Sequence, residues 1–424
     1  MDTPLRREKV GRTRAFYVLG FVTACAVVAG LWGRLRDLGF PPKRVFDEIY
    51  FPVFANKYLE GERFFDLHPP LGKFIIAASI ALFGDDPIGW RLMPAVFGCA
   101  IIVLGAALGW YLTKSRVGAL LLAAFLAVET MLVAYSRLGI MDGFLVFFVL
   151  ATLLAALWAR RGSQVVWVAV VLGLAISVKW AAMPVVAPAG YVLWRKGLLR
   201  PFIASLWVSA VLYVAIVFAE RLILSGGAPW QAWQDVWAWH IRAVDKITAA
   251  IPNPYASPWW SWPLMLRPIR MFFGATSAGD VQVIAAIGNP LLWWSSTLAV
   301  LAGLIELGRR KLFLKESVAD NPLVPALLGY ALLLLPWIPG TRIPYIYNYL
   351  PSYAFALLVL ACLLVSLWER RSWGAWVVVA FAVCVLVVGL YFLPIASAVP
   401  MSPEGLEQRQ WLDTWFKPDP ALSS

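Results

Sequence analysis

Histidine is almost missing from this chain. There are two, His68 and His240, in 424 residues, too few for a histidine-rich metal site. Cysteine is scarce as well: Cys25, Cys99, Cys362 and Cys384 all fall inside apolar runs, where a thiol behaves as a small hydrophobe. Neither zinc spacing nor a disulfide framework is present. Charged residues make up only 14% of the chain, against about 25% in soluble domains. Hydrophobic residues reach 61% and the mean hydropathy is +0.74, so an ordinary soluble domain is excluded and the chain reads as a polytopic membrane protein. A net charge of +12 does not point to nucleic acid, because the basic residues stand in short clusters between apolar spans rather than along one stripe.

Those clusters serve as topology signals. The basic N-terminus followed by an apolar run resembles a signal peptide, but the run from Ala15 to about Leu35 is too long for one, so an uncleaved first span is expected, with its basic flank cytoplasmic. Residues 36–90 then form a first exoplasmic loop with two short surface-lying helices, at about Asp47–Leu59 and Leu71–Phe83. Further spans are expected at about 91–112, 117–134 and 140–158. Residues 165–194 are flanked on both sides by basic clusters (Arg160 and Arg161; Arg195, Lys196 and Arg200), so the chain should return to the side it left, as two short spans tipped by Lys179 and Trp180. A span at 202–223 leads into a long exoplasmic loop, residues 225–289, of the length that is usually functional. Four more spans, at about 290–307, 322–338, 346–368 and 373–393, bring the total to about eleven. The expectation is an all-α polytopic membrane protein of one domain, with no internal repeat.

The ionisable residues of the exoplasmic segments are the candidates for chemistry, since charge held near a bilayer is costly. Asp47 and Glu48 are adjacent; Asp66, His68 and Lys73 follow a turn at Gly61. Two readings stand for the first pair: they cap a short helix, or one of them accepts a proton from a hydroxyl. Arg137 and Asp142 flank one exoplasmic turn and read either as a local salt bridge or as part of an anion site. Lys73 is either a snorkelling lysine or a ligand-facing one, and Lys179, set among apolar residues, needs an anion. The tryptophans of the long loop, Trp230, Trp233, Trp237, Trp239, Trp259, Trp260 and Trp262, read first as interfacial anchors.

Several ordered blocks, FDE (Phe46 to Glu48), HPPLGK (His68 to Lys73), SRLGIMDGF (Ser136 to Phe144), SVKW (Ser177 to Trp180), NPYASPWWSWPLMLRPI (Asn253 to Ile269), GNPLLWW (Gly288 to Trp294) and TRIPYIYNYLP (Thr341 to Pro351), resemble those of the protein O-mannosyltransferases, membrane enzymes of the glycosyltransferase C class. The resemblance implies a glycosyltransferase C-like fold and transfer of mannose, or a related hexose, from a polyprenyl or dolichyl phosphate to Ser or Thr of proteins at the exoplasmic face. It implies Asp47 as catalytic base with inversion at the sugar carbon, and Glu48 as a secondary, orienting carboxylate. It places His68, Lys73, Arg137, Asp142, Lys179, Trp180, His240 and Arg342 around donor phosphate and substrate, Arg342 being the preferred phosphate ligand. The implied partners are the lipid-phosphate sugar, a protein acceptor and membrane lipids, with no nucleic acid; no cofactor is indicated, and a divalent metal stays open. If the source is bacterial, the plasma membrane is the expected location. Asn253 and Asn348 depart from the family, which often has histidine there. Two alternatives remain: a lipid- or glycan-directed transferase resembling the aminoarabinose transferases, and a transporter, which would call for repeats that the chain lacks.

Overall fold

The computed structural model describes residues 4–248, 255–338, 344–370 and 372–415. Helices α1 (Pro4–Leu35), α2 (Phe51–Glu60), α3 (Leu71–Phe83), α4 (Pro87–Thr113), α5 (Arg116–Val128), α6 (Thr130–Ser136), α7 (Asp142–Trp158), α8 (Val165–Val178), α9 (Val186–Arg195), α10 (Leu199–Leu224) and α11 (Pro229–Thr248) make up the first part. A hairpin of β1 (Arg270–Ala275) and β2 (Val281–Ala285) follows, then α12 (Pro290–Gly308), α13 (Leu323–Leu334), α14 (Leu350–Arg370), α15 (Ser372–Ala396) and the short α16 (Pro403–Glu407). Among the described residues, six helices are long and apolar enough to cross a membrane: α1, α4, α10, α12, α14 and α15, with the bent pair α5–α6 as a seventh. Each of the eleven expected spans coincides with a helix or helix pair; α7, α8, α9 and α13 are shorter than a full crossing, so length and composition by themselves establish six or seven of the eleven.

The long loop expected at 225–289 is not structureless. It holds α11 and the antiparallel hairpin, whose second strand also bridges to Met401 through Val281. The sequence hides α11 because its apolar residues are broken up by charge. Folded, Val236, Trp239 and Ala243 face inward while Trp230, Trp233, Trp237, Ile241 and Val244 are exposed. The loop tryptophans thus divide: Trp239 and Trp262 are buried, whereas Trp230, Trp233, Trp237 and Trp260 are exposed.

The break between α5 and α6, a bend of 60°, frees backbone groups in an apolar interior, where each needs a partner. Arg34 of α1 donates to the carbonyls of Leu126 and Ala127, both at 2.7 Å. Glu129 accepts from the amide of Met131 at 3.0 Å, and from Asn289 N at 3.0 Å and the Tyr353 hydroxyl at 2.8 Å. A cation therefore meets the carbonyl end of α5 and an anion the amide end of α6, each matching the helix dipole. This contact demands a close approach by α1: a Cβ on Gly30 would lie 2.3 Å from the carbonyl oxygen of Ala127, whereas one on Gly20 would meet nothing within 4 Å.

Gly30→Ala is therefore expected to cost about 1–3 kcal/mol through overpacking, seen as a lower thermal midpoint in detergent, while Gly20→Ala in the same helix leaves the midpoint unchanged or raises it.

Candidate active site

The stretch that carries Asp47 is a single 3-10 turn, Phe46–Ile49. Its neighbouring carboxylates point into different surroundings. Glu48 is fully buried and held bidentately by Arg91 of α4, with Nε to Oε1 and Nη2 to Oε2 both at 2.8 Å. The same carboxylate accepts from Val45 N at 3.1 Å and Gly139 N at 2.7 Å. Arg91 completes its donors on the carbonyls of Leu38, Pro41 and Lys43, at 3.0, 2.8 and 3.2 Å. A buried pair this well satisfied fixes the turn rather than serving chemistry. It holds Phe46 at φ +52°, a left-handed backbone that costs a non-glycine residue energy, directly before Asp47.

Asp47 instead lines a cavity of about 450 Å³, shared with Phe51, His68, Asp142, Lys179, Trp180, Trp337, Tyr347 and Asn348. Among the described residues no hydrogen bond is donated to its carboxylate. Burial, together with Asp142 and Asp66, pushes its pKa up to about 6 against the opposing pull of Lys179. Asp142, the first residue of α7, accepts from Lys179 Nζ at 2.8 Å. Lys179 occupies the break between α8 and the 3-10 turn Trp180–Val185, and its ammonium stands 5.6 Å from the Tyr347 ring centre. The break at 179 thus delivers a cation and a tryptophan to the cavity at once.

Trp180 is oriented from behind. Its Nε1 donates to the Tyr213 hydroxyl at 2.9 Å, Tyr213 lies 2.8 Å from His240 Nε2, and His240 Nδ1 lies 2.7 Å from the Val236 carbonyl. Because that carbonyl can only accept, His240 carries its proton on Nδ1, and Nε2 accepts from Tyr213. The His240 ring also stacks on Trp180, at 6.1 Å and 16°. His240 therefore supports the cavity wall and is not among its lining residues.

Two expected phosphate ligands lie elsewhere. Lys73 is buried and bound to Asp66 Oδ2 at 2.6 Å and the His68 carbonyl at 2.9 Å, with Glu220 3.7 Å away. Arg137 does not pair with Asp142; it caps the end of α1 on the carbonyls of Gly33, Arg36 and Asp37 at 2.9, 2.5 and 3.1 Å. In both cases freed carbonyls or a nearer carboxylate claim the cation. Arg342 and Asn253 lie outside the described residues. Sequence reasoning missed Arg91, read there only as the start of a span, and Tyr213 and Tyr347; a basic residue at the head of an apolar run with a carboxylate in the preceding loop was the available signal for Arg91.

This arrangement of helices is shared with membrane glycosyltransferases of known structure. Protein O-mannosyltransferase from Saccharomyces cerevisiae, solved as the Pmt1-Pmt2 complex bound to the sugar donor, superposes with a TM-score of 0.81 at 17% identity, covering 94% of this chain and 93% of that one. ArnT from Cupriavidus metallidurans gives 0.56 at 16% identity over 91% and 74%. Two family models match the sequence, dolichyl-phosphate-mannose-protein mannosyltransferase at residues 24–241 and the C-terminal four-transmembrane region of protein-O-mannosyltransferase at residues 232–415. The chain belongs to the protein O-mannosyltransferase family. Among its relatives, a polyprenol-phosphate-mannose–protein mannosyltransferase of Mycobacterium tuberculosis is 24% identical, covering 95% of this chain and 92% of the relative.

The opposed fates of the two carboxylates give a direct test. Glu48→Ala leaves Arg91 buried without its partner and is expected to destabilise by about 3–5 kcal/mol. Asp47→Asn removes a carboxylate whose raised pKa means that its ionised form costs stability above the ordinary carboxylate range, so near neutral pH the variant should be at least as stable as the parent. Thermal unfolding of the two purified variants at pH 7 checks both.

Proposed function

We propose that the chain transfers mannose from a polyprenyl or dolichyl phosphate to serine or threonine hydroxyls of proteins at the exoplasmic membrane face, with Asp47 as the base. One observation carries the reading: a carboxylate with no donor on it, its pKa raised to about 6, facing a cavity whose only permanent cation among the described lining residues is Lys179. An alcohol acceptor has a pKa far above 7 and needs its proton taken as it attacks, and a carboxylate in reach supplies that. The acceptor oxygen bonds to the anomeric carbon as the bond to phosphate breaks, so the configuration inverts. The phosphate leaves as a stable anion without a general acid, in contrast to the paired carboxylates of glycoside hydrolysis. Lys179 is placed to meet the charge that develops on it. Trp180, held by Tyr213 and His240, supplies an apolar wall for the sugar.

Sidedness follows from the helix ends. Asp142 opens α7 and Lys179 follows α8, both at the cavity, whereas the opposite ends of α7, α8 and α9 carry Arg160, Arg161, Arg195 and Lys196. Basic ends belong in the cytoplasm, which supports a cavity that faces out. A donor on a lipid phosphate suits that side, since its tail keeps the headgroup at the membrane surface.

Purified protein in vesicles, given polyprenyl-phosphate mannose labelled in the sugar and a Ser/Thr peptide, is expected to label the peptide. Label entering a glycolipid instead would overturn the acceptor assignment. Asp47→Asn should lower the rate by about 10²–10⁴-fold, the usual contribution of a general base. Because Asp47 must be ionised to act, kcat/KM of the parent should fall as the pH drops through about 6, and the residual activity of Asp47→Asn should lack that limb.

A further inference from the structure

The wall of the cavity has an outer side. Within residues 63–69, Leu67, His68 and Pro69 face the cavity, while Arg63, Phe64 and Phe65 line a separate pocket of about 460 Å³, completed by Arg221 and Leu224 of α10 and Asp235, Trp239 and Arg242 of α11. Three guanidinium groups line it with one carboxylate, Asp235, and a second carboxylate, Glu220, stands behind Arg221. Each is held in place by contacts that leave donors over. Arg63 Nε donates to the Leu224 carbonyl at 3.0 Å. Arg242 lies over the Phe65 ring, 4.1 Å from its centre. Arg221 is only 7% exposed; one of its terminal nitrogens binds Glu220, yet its buried Nε has no partner among the described residues.

The depth of the pocket indicates what fills it. It sits where the spanning helix α10 ends, and α11 beside it exposes Trp230, Trp233, Trp237, Ile241 and Val244, spaced three or four residues apart along one face. An apolar, tryptophan-rich stripe of this kind lies in the boundary between headgroups and acyl chains. Three arginines at that level stand where lipid phosphates are, and guanidinium groups bind phosphate by paired, charge-assisted hydrogen bonds.

We propose that this pocket is a binding site for the phosphate of an anionic phospholipid. Phe64, Phe65 and Trp239 supply the apolar floor for the glycerol end of such a lipid. Arg221 joins the pocket to the catalytic wall, because its partner Glu220 also binds the Tyr58 hydroxyl and approaches Lys73, and Lys73 holds Asp66. A lipid seated here therefore braces the outer face of the loop whose inner face lines the cavity. The site is independent of which sugar or acceptor the cavity takes.

The test uses the full-length protein in nanodiscs of phosphatidylcholine with and without phosphatidylglycerol, and native mass spectrometry of the lipids retained. The parent is expected to retain phosphatidylglycerol over phosphatidylcholine, and the Arg63→Gln/Arg242→Gln double variant to lose that preference by about tenfold, as expected for two charge-assisted contacts. In phosphatidylcholine alone, thermal midpoint and transfer rate should match between the two, which separates loss of the site from misfolding. An unchanged preference in the variant overturns the proposal, as does a parent without preference. Displacement of the lipid by millimolar inorganic phosphate would make the pocket a site for free anions and also overturn it. A variant that keeps its lipid but binds an acidic peptide less well would reassign the pocket to the acceptor.

Discussion

The buried ion pair between Glu48 and Arg91 is the contact on which the active-site geometry depends. Taking both charges out of water costs several kcal/mol per ion, and the structure offsets this with a bidentate pairing and five further hydrogen bonds, two onto the carboxylate and three from the guanidinium. Those bonds reach the loop at 38–43, the turn at Val45 and the α6–α7 connection at Gly139. One pair therefore joins the first loop, α4 and the start of α7, which are the pieces that bring Asp47 beside Asp142. It also explains how adjacent carboxylates take different roles. Glu48 gives up every lone pair to structure, and the turn it fixes leaves Asp47 facing the cavity with none committed.

Broken helices supply the rest. In an apolar interior a break is tolerated only if its freed groups find partners or line a cavity. Two solutions occur in this chain. At α5–α6 and at the end of α1 the partners are charged side chains, Arg34, Glu129 and Arg137, which are consumed in the process. At α8–α9 the break opens on the cavity, and Lys179 is bound to a single carboxylate. Cations of the same type thus divide between holding helix ends and serving the site, according to what the break beside them leaves unsatisfied.

This division sets the limit on what the sequence discloses. Apolar runs and basic clusters located the helices well: the short helix expected at Leu71–Phe83 is α3, and the long run at 165–194 is split at Lys179, as the basic flanks require. Charge position alone could not say where a side chain points. Arg137 and Asp142 looked like a pair around a turn because only four residues separate them, but the nearer carbonyls of α1 take the arginine. Lys73, which read as either snorkelling or ligand-facing, is bonded to Asp66 instead. The helix α11 was hidden because charged and polar residues interrupt its apolar ones, and its apolar spacing reads as periodic only once its ends are known.

The electrostatics of the cavity connect these points to its chemistry. Asp142 and Lys179 neutralise each other, so Asp47 contributes the unbalanced charge, and burial sets its pKa near neutrality rather than at the usual carboxylate value. A base is most effective when its pKa lies near the working pH. The same Asp142 that raises the pKa of Asp47 also holds the lysine that lowers it. An anion near Lys179 would compete with Asp142 for the ammonium and weaken its pull on Asp47, raising the pKa of Asp47 further and, on the proposed reading, making it a stronger base. Coupling of this kind needs no moving part; it follows from three charges sharing one cavity of low polarity.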